Sequence, residues 1–190
     1  MASLRHRLGS LGASELTGPA VRLEPLVPAH REALRAACAA DPDIWDIYPY
    51  SLLGAHFDAW WDRVAGNRWV LVAIHDGAVV GMSSYYDIDD AKTSTAIGGT
   101  YFTPAVRGTG VNKEVKRLML AAAFDAGARR VEFHIDAING RSRRAVEKIG
   151  AVFEGILRQD RVTWTGRVRD TCVYSILKDE WPAVRAILEN

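Results

Sequence analysis

Arg107-Gly108-Thr109-Gly110 is the segment best suited to hold an anion. The pattern places it between a strand and a strong helix. Amides at a helix start lack internal partners, and the helix dipole adds partial positive charge there. Two glycines let a phosphate approach the backbone, Arg107 can add a charged donor, and Lys113, Lys116 and Arg117 lie on the first turns of the helix. It is not a Walker loop, because no Gly-Lys-Ser/Thr follows, nor a dinucleotide fingerprint, because Lys113 stands at the third glycine position. An ordinary Gly-rich turn into a helix would also read this way. Asn139 lies between a strand and a helix, as an N-cap or as a donor to an amide-bearing ligand. Ser142 can pack on a buried helix face or hydrogen-bond a leaving group. His134 and Asp136 share a strand face, either as a base pair or as a polar surface. His75 reads as a turn residue, and Cys172 alternates with apolar neighbours as a core residue does.

The elements that position these residues follow from periodicity. Residues 1–17 have no clear period and read as a loosely held arm. Val21 to Leu26 is a short strand. Pro28 opens a helix that Asp41-Pro42 ends, Ile44 to Tyr50 is irregular and aromatic, and a second helix covers Leu52 to Val64. Trp69–Ile74, Ala78–Asp87 and Thr93–Phe102 read as three neighbouring antiparallel strands, with Gly98-Gly99 marking a bulge or a close backbone approach. Gly110 to Ala126 carries an apolar stripe of Val111, Val115, Leu118, Met119, Ala122 and Ala126. A strand at Val131–Ala137, a helix at Gly140–Ile149, a hairpin about Thr165-Gly166 and a tail helix complete the chain. The order implies one α+β domain over 18–190 with a mixed, mostly antiparallel sheet.

Composition narrows the function classes. The chain has 190 residues, enough for one sizeable core, and a net charge of +1, which argues against general nucleic-acid binding. Residues 1–90 hold seven Arg and no Lys against twelve acids, and residues 91–190 hold seventeen bases against eleven acids. A polyanionic ligand therefore suits the second half and a cationic one the first. Two cysteines far apart make no disulfide framework, and no CxxC metal pattern occurs. No apolar run approaches the roughly 20 residues of a membrane span, and the first residues do not read as a secretory signal. The expectation is a cytoplasmic protein without a metal.

Gly99-Thr100-Tyr101-Phe102-Thr103-Pro104, Arg107-Gly108-Thr109-Gly110, Asn139-Gly140-Arg141-Ser142, Glu147-Lys148-Ile149-Gly150 and Val168-Arg169-Asp170-Thr171, in this order and spacing, resemble the GNAT superfamily of N-acetyltransferases, and more closely its RimJ/RimL-like branch. The resemblance covers about residues 18–180. It implies a sheet splayed at its centre, with helices on both faces and acetyl-CoA, or another acyl-CoA, in the gap between the strand ending at Phe102 and the strand at Val131–Ala137. Main chain at Tyr101, Phe102 and Thr103 would pair with the pantetheine arm. The amides of Arg107, Gly108, Thr109, Gly110, Val111, Asn112 and Lys113 would take the pyrophosphate. Asn139 would contact the arm, and Ser142 would face the thioester and serve the departing thiolate. Asn112 departs from the superfamily pattern, so its side chain must turn away from the pyrophosphate or contact it. Two usual proton carriers are missing, at Ala96 and Val146.

The implied reaction is direct attack of a neutral primary amine on the thioester, in a small molecule or at a protein N-terminus. An α-amine, with a pKa of roughly 7.7–8.0, needs little help from a base. Trp45 and Tyr85 are the expected acceptor contacts, within an aromatic group that includes Tyr48, Tyr50, Trp60, Trp61 and Tyr86. Two other readings stand beside this one: a module that holds CoA without turnover, and a phosphate-loop nucleotide enzyme. The last hairpin offers an edge at which two copies could pair as a homodimer.

Overall fold

The computed structural model describes residues 8–190. Eight strands form a single sheet: β1 (Leu16–Thr17), β2 (Arg22–Pro25), β3 (Val70–His75), β4 (Ala78–Asp89), β5 (Ser94–Phe102), β6 (Arg130–Asp136), β7 (Val152–Val162) and β8 (Val168–Leu177). Their spatial order is β1-β2-β3-β4-β5-β6-β8-β7. Every neighbouring pair is antiparallel except β5 and β6. The helices are α1 (Arg31–Ala39), α2 (Gly54–Val64), α3 (Val111–Asp125), α4 (Gly140–Lys148) and α5 (Trp181–Glu189). No described helix is long and apolar enough to cross a membrane.

The helices divide between the two faces. Leu34 and Cys38 of α1 join Phe57, Trp60 and Trp61 of α2 in a core with Trp45, Val72, Met82 and Tyr101. On the opposite face, the stripe of α3 packs with Ile97, Val131, Phe133 and Ile135, together with Val146 of α4 and Val184 of α5. The apolar positions of β6 therefore point at α3. The alternate positions Glu132, His134 and Asp136 point to the other face and belong to neither hydrophobic cluster.

Residues 8–17 depart from the loose arm expected from sequence. Leu8 and Leu11 are buried at 3% and 4% exposure in the α3-side core, and Leu16 pairs with Leu23. Long-range packing fixes this segment, and its irregular spacing gives no periodic signal of it. Residues 1–7 of the expected arm lie outside the described residues. The irregular Ile44–Tyr50 stretch largely forms a short 3-10 helix, Pro42–Ile47.

Two local irregularities shape the centre of the sheet. Met82 pairs with Tyr101 and Ser84 with Gly98, so β5 carries an extra residue, and Gly99 takes φ +57 there. This is the bulge expected at Gly98-Gly99. The parallel ladder between β5 and β6 runs only from Ser94↔Arg130 to Ala96↔Glu132. Beyond Ala96 the strands diverge, which opens the sheet at the place the resemblance implied.

Candidate active site

The gap between β5 and β6 has a wall, a floor and an entrance loop. The wall is β5, whose other edge pairs with β4 as far as Phe102. Thr103 continues the contact through its amide to Val80 O at 2.8 Å. The Tyr101 and Phe102 side chains are core residues, and the Tyr101 hydroxyl donates to Ala37 O at 2.7 Å, so only their main chain is available to a ligand.

The loop from Arg107 to Gly110 enters α3. Gly108 and Gly110 have φ of +81 and +95, and a Cβ at either would meet nothing within 4 Å. The first amide with a helical bond is Glu114, to Gly110 O at 3.0 Å. The amides of Val111, Asn112 and Lys113 thus precede the helix ladder, at the positive end of its dipole. Arg107 itself does not point outward as a free donor. Its Nε donates to Phe102 O at 2.9 Å, and Nη1 lies 2.5 Å from Asp41 Oδ2. The guanidinium fastens the end of β5 to the segment after α1. The Asn112 Oδ1 atom is buried without a hydrogen-bond partner, so this side chain turns inward.

The floor holds a residue that the helical stripe did not reveal. Lys116 is 7% exposed, and its Nζ donates to Thr100 Oγ1 at 2.8 Å and lies 5.7 Å from the Phe133 ring centre. Burial pulls its pKa down from 10.5 to about 7. Thr100 Oγ1 also bonds Ser83 Oγ at 2.7 Å. The sequence signal for Lys116 was its place one helical turn after Asn112, between the apolar residues Val115 and Leu118.

On the opposite side of the bulge stand three tyrosines. Tyr48 donates to Thr100 O at 2.5 Å. A Cβ on Gly99 would sit 3.0 Å from the Tyr50 hydroxyl, and one on Gly98 would sit 2.7 Å from Tyr86 Cε1. Burial raises the pKa of each, that of Tyr50 to about 12. The β7–β8 hairpin reaches over from the far half. Trp164 Nε1 donates to Trp45 O at 2.8 Å, and the Trp164 ring lies 5.3 Å from that of His56. A cavity of about 520 Å³ lies beside this contact, lined by Asp43, Asp46, Ile138 and Arg167 among others.

The two expected acceptor contacts do not face this space. Trp45 is fully buried and stacks on Tyr101, with ring centres 4.8 Å apart. Tyr85 is 2% exposed and its hydroxyl reaches through to Met119 O on α3, at 2.7 Å. Its neighbour Tyr86 takes the open face, as strand alternation requires. Trp60 and Trp61 are core as well.

Asn139 Oδ1 accepts from Ser142 N at 3.0 Å, which caps α4. Ser142 is half-buried in the first turn of that helix. Val146, one of the two positions at which the resemblance implied a missing proton carrier, is buried in the core. Asp136 does not pair with His134. It is held by Arg167, 2.5 Å away, and by Arg169 at 3.8 Å.

An open mixed sheet whose gap is entered by a glycine loop and a helix N-terminus is matched by a family with the same plan. The GNAT acetyltransferase domain matches residues 20–152. The chain belongs to the GNAT acetyltransferase family. The GCN5-related N-acetyltransferase of Brucella melitensis is 33% identical, with a TM-score of 0.83 over 93% of this chain and 84% of that one. The Mycobacterium tuberculosis N-acetyltransferase Rv2669, itself uncharacterised, is 33% identical over 89 residues, 47% of this chain and 56% of the relative. The chain thus spans little more than half the length of the curated relatives it matches. Mycobacterium smegmatis RimJ, solved with CoA-disulfide, shares the GNAT fold at 21% identity, with a TM-score of 0.74 over 93% of this chain and 92% of that one.

Proposed function

We propose that this GNAT domain is an acyl-CoA-dependent N-acyltransferase of the RimJ/RimL-like type that moves an acyl group, acetyl in the simplest case, to a primary amine. The observation that carries the reading is the break in the sheet after Ala96↔Glu132, lying directly over the N-terminal half of α3. Bound acyl-CoA would supply an activated thioester. The chain's own residues bind and orient it. Main chain at Tyr101–Thr103 offers hydrogen-bonding groups at strand spacing along the gap. The amides from Gly108 to Lys113 suit a pyrophosphate, and the open space above Gly108 and Gly110 lets it approach. Asn139 and Ser142 line the other side, where the Ser142 hydroxyl can donate to the departing sulfur.

Transfer needs no covalent enzyme intermediate when both reactants share one cleft. The acceptor enters over the tyrosines at the bulge, below Trp164. The small-molecule and protein N-terminal classes of amine both fit an open face. A second copy of the chain is proposed to pair along β7, where Val152, Phe153, Ile156 and Leu157 are exposed. The test is release of free thiol from acetyl-CoA in the presence of a panel of small amines and N-terminally free peptides. Amine-dependent release is expected. Tight CoA binding with no release for any amine would instead identify a binding module, and stabilisation by ATP but not CoA would identify a nucleotide site.

A further inference from the structure

Ala96 is one of the two positions at which the resemblance implied a missing proton carrier, yet a titratable pair stands immediately beside it. Ala96 is in register with Glu132 on β6. His134, two residues on, shares the open face with Glu132, and its Nε2 lies 2.7 Å from Glu132 Oε2. Burial works against the charge on Glu132, but hydrogen bonds from Arg130 and His134 outweigh it and hold the carboxyl below its usual range. An ionised Glu132 accepts, so Nε2 carries the proton and Nδ1 presents the lone pair.

The surroundings of Nδ1 suit an incoming amine. Asp87 Oδ2 is 3.8 Å from Nδ1, too far for a direct hydrogen bond and near enough for one nitrogen to bridge both. Asp87 is itself placed by an irregularity in β4, with φ +49, and its side chain is 68% exposed. The His134 ring meets Tyr86 edge-on at 5.7 Å, and Tyr86 covers Gly98 at the bulge. His134 therefore faces the bulge from across the gap, and its side chain is still 15% exposed. Arg169 Nη2 donates to His134 O at 3.2 Å, which fixes the strand beneath the ring.

We propose that His134 is the general base of the transfer, with Glu132 as its positioning residue and Asp87 as the first contact of the acceptor's ammonium form. This rests on the acyltransferase reading above. The amine lone pair forms the N–C bond to the thioester carbonyl carbon, and the C–S bond breaks with its electron pair leaving on sulfur. The ammonium held beside Asp87 first gives one proton to His134 Nδ1 and from there to solvent, which frees the lone pair for attack. The second N–H proton, lost once the N–C bond has formed, passes through His134 to the departing sulfur, so that amide, free thiol and one solvent proton result. A low-pKa amine is not required when such a base is present.

The charged and titratable groups around His134 are Glu132 on its own strand, with Arg130 behind it, Tyr86 and Asp87 on β4, and Arg169 on β8, with Arg161 of β7 acting on Tyr86 and Arg169; Ala96 of β5, in register with Glu132, carries no charge. The test compares wild type, His134→Gln, His134→Asn and Glu132→Gln. It follows the pH dependence of kcat/KM for the amine, the Kd for acetyl-CoA, and the ring-proton titration of His134 in wild-type protein by NMR. Loss of His134 should lower kcat about 100-fold or more and remove the acidic limb, with acetyl-CoA Kd within about twofold. Glu132→Gln should keep the limb but displace it. The wild-type limb and the NMR midpoint should coincide, a comparison that needs no variant. Undiminished turnover with the limb intact in the His134 variants, or an NMR midpoint away from the limb, would overturn the assignment while leaving the acyltransferase reading standing. A wild type that releases no thiol with any amine would overturn both.

Discussion

Replacing Lys116 with methionine should stabilise the protein, and the gain should shrink as the pH rises. Lys116 Nζ has one hydrogen bond, to Thr100 Oγ1, and no carboxylate pairs with it among the described residues. Desolvation lowers its pKa from 10.5 to about 7 in the fold. The unfolded chain binds this proton up to about pH 10, whereas the native chain releases it near neutrality. A cost to folding is therefore fully present below about pH 7 and is relieved as the pH climbs toward 10.5. At about 1.4 kcal/mol per pH unit the whole interval corresponds to roughly 5 kcal/mol. Water entry and local relaxation reduce such penalties, so a gain of roughly 2–5 kcal/mol at pH 6 is expected for Lys116→Met. That corresponds to a rise in Tm of order 10 °C for a chain of this size. Thr100 keeps its bond to Ser83 in the variant, so little new cost arises. Urea and thermal melts of both proteins at pH 6, 8 and 9.5 provide the measurement, and the difference between them cancels the other titrating groups. A gap that does not change with pH, or a methionine variant that is less stable throughout, would refute the reasoning.

Other changes probe the cleft more directly. Arg107→Ala should raise KM for acetyl-CoA by about tenfold with little effect on kcat, because it unfastens the end of β5 from Asp41 and leaves the reacting centre alone. An unchanged KM in steady-state assays would count against that role. Gly98→Ala drives a methyl to 2.7 Å from Tyr86 Cε1, so kcat/KM for the amine should fall by about tenfold or more, read in the thiol-release assay. Asp136→Asn removes the buried carboxylate shared by Arg167 and Arg169, the latter 5% exposed, and should cost about 2–4 kcal/mol in urea melts.

Much of the architecture was legible because it rests on local patterns. The apolar stripe of α3, the alternation of β6 and the glycines of the β5 bulge each express one physical requirement in consecutive residues. What was not legible depends on which side of an element meets another element. Tyr85 and Tyr86 are equivalent in sequence, and only the position of α3 decides that Tyr85 is the buried one. Trp45 is similar: an aromatic residue in an irregular stretch reads as a ligand contact until α1 and α2 enclose it. Lys116 reads as one of the charges beside the anion loop, and its burial against Thr100 and Phe133 depends on how α3 meets β5 and β6. His134 and Asp136 share a strand face in the sequence, which reads either as a base pair or as a polar surface. Arg167 and Arg169, arriving from the last hairpin, take Asp136 and leave Glu132 for the histidine. The packing of residues 8–17 of the expected arm was hidden for a related reason, since Leu8 and Leu11 are held by residues distant in the chain.

The short parallel ladder has a thermodynamic consequence. An open sheet has two rims, here β1 and β7. Because pairing between β5 and β6 stops at Ala96↔Glu132, this sheet has two more, facing each other inside the molecule. Side chains take up some of the carbonyls along these inner rims, as Tyr48 does for Thr100 O, Arg107 for Phe102 O and Arg169 for His134 O, and folding forgoes the remaining pairing that a closed sheet would supply. A ligand carrying amides at strand spacing restores it. Part of the energy of the fold is in this sense withheld until the ligand arrives, and amide exchange along residues 97–102 should slow sharply when it does.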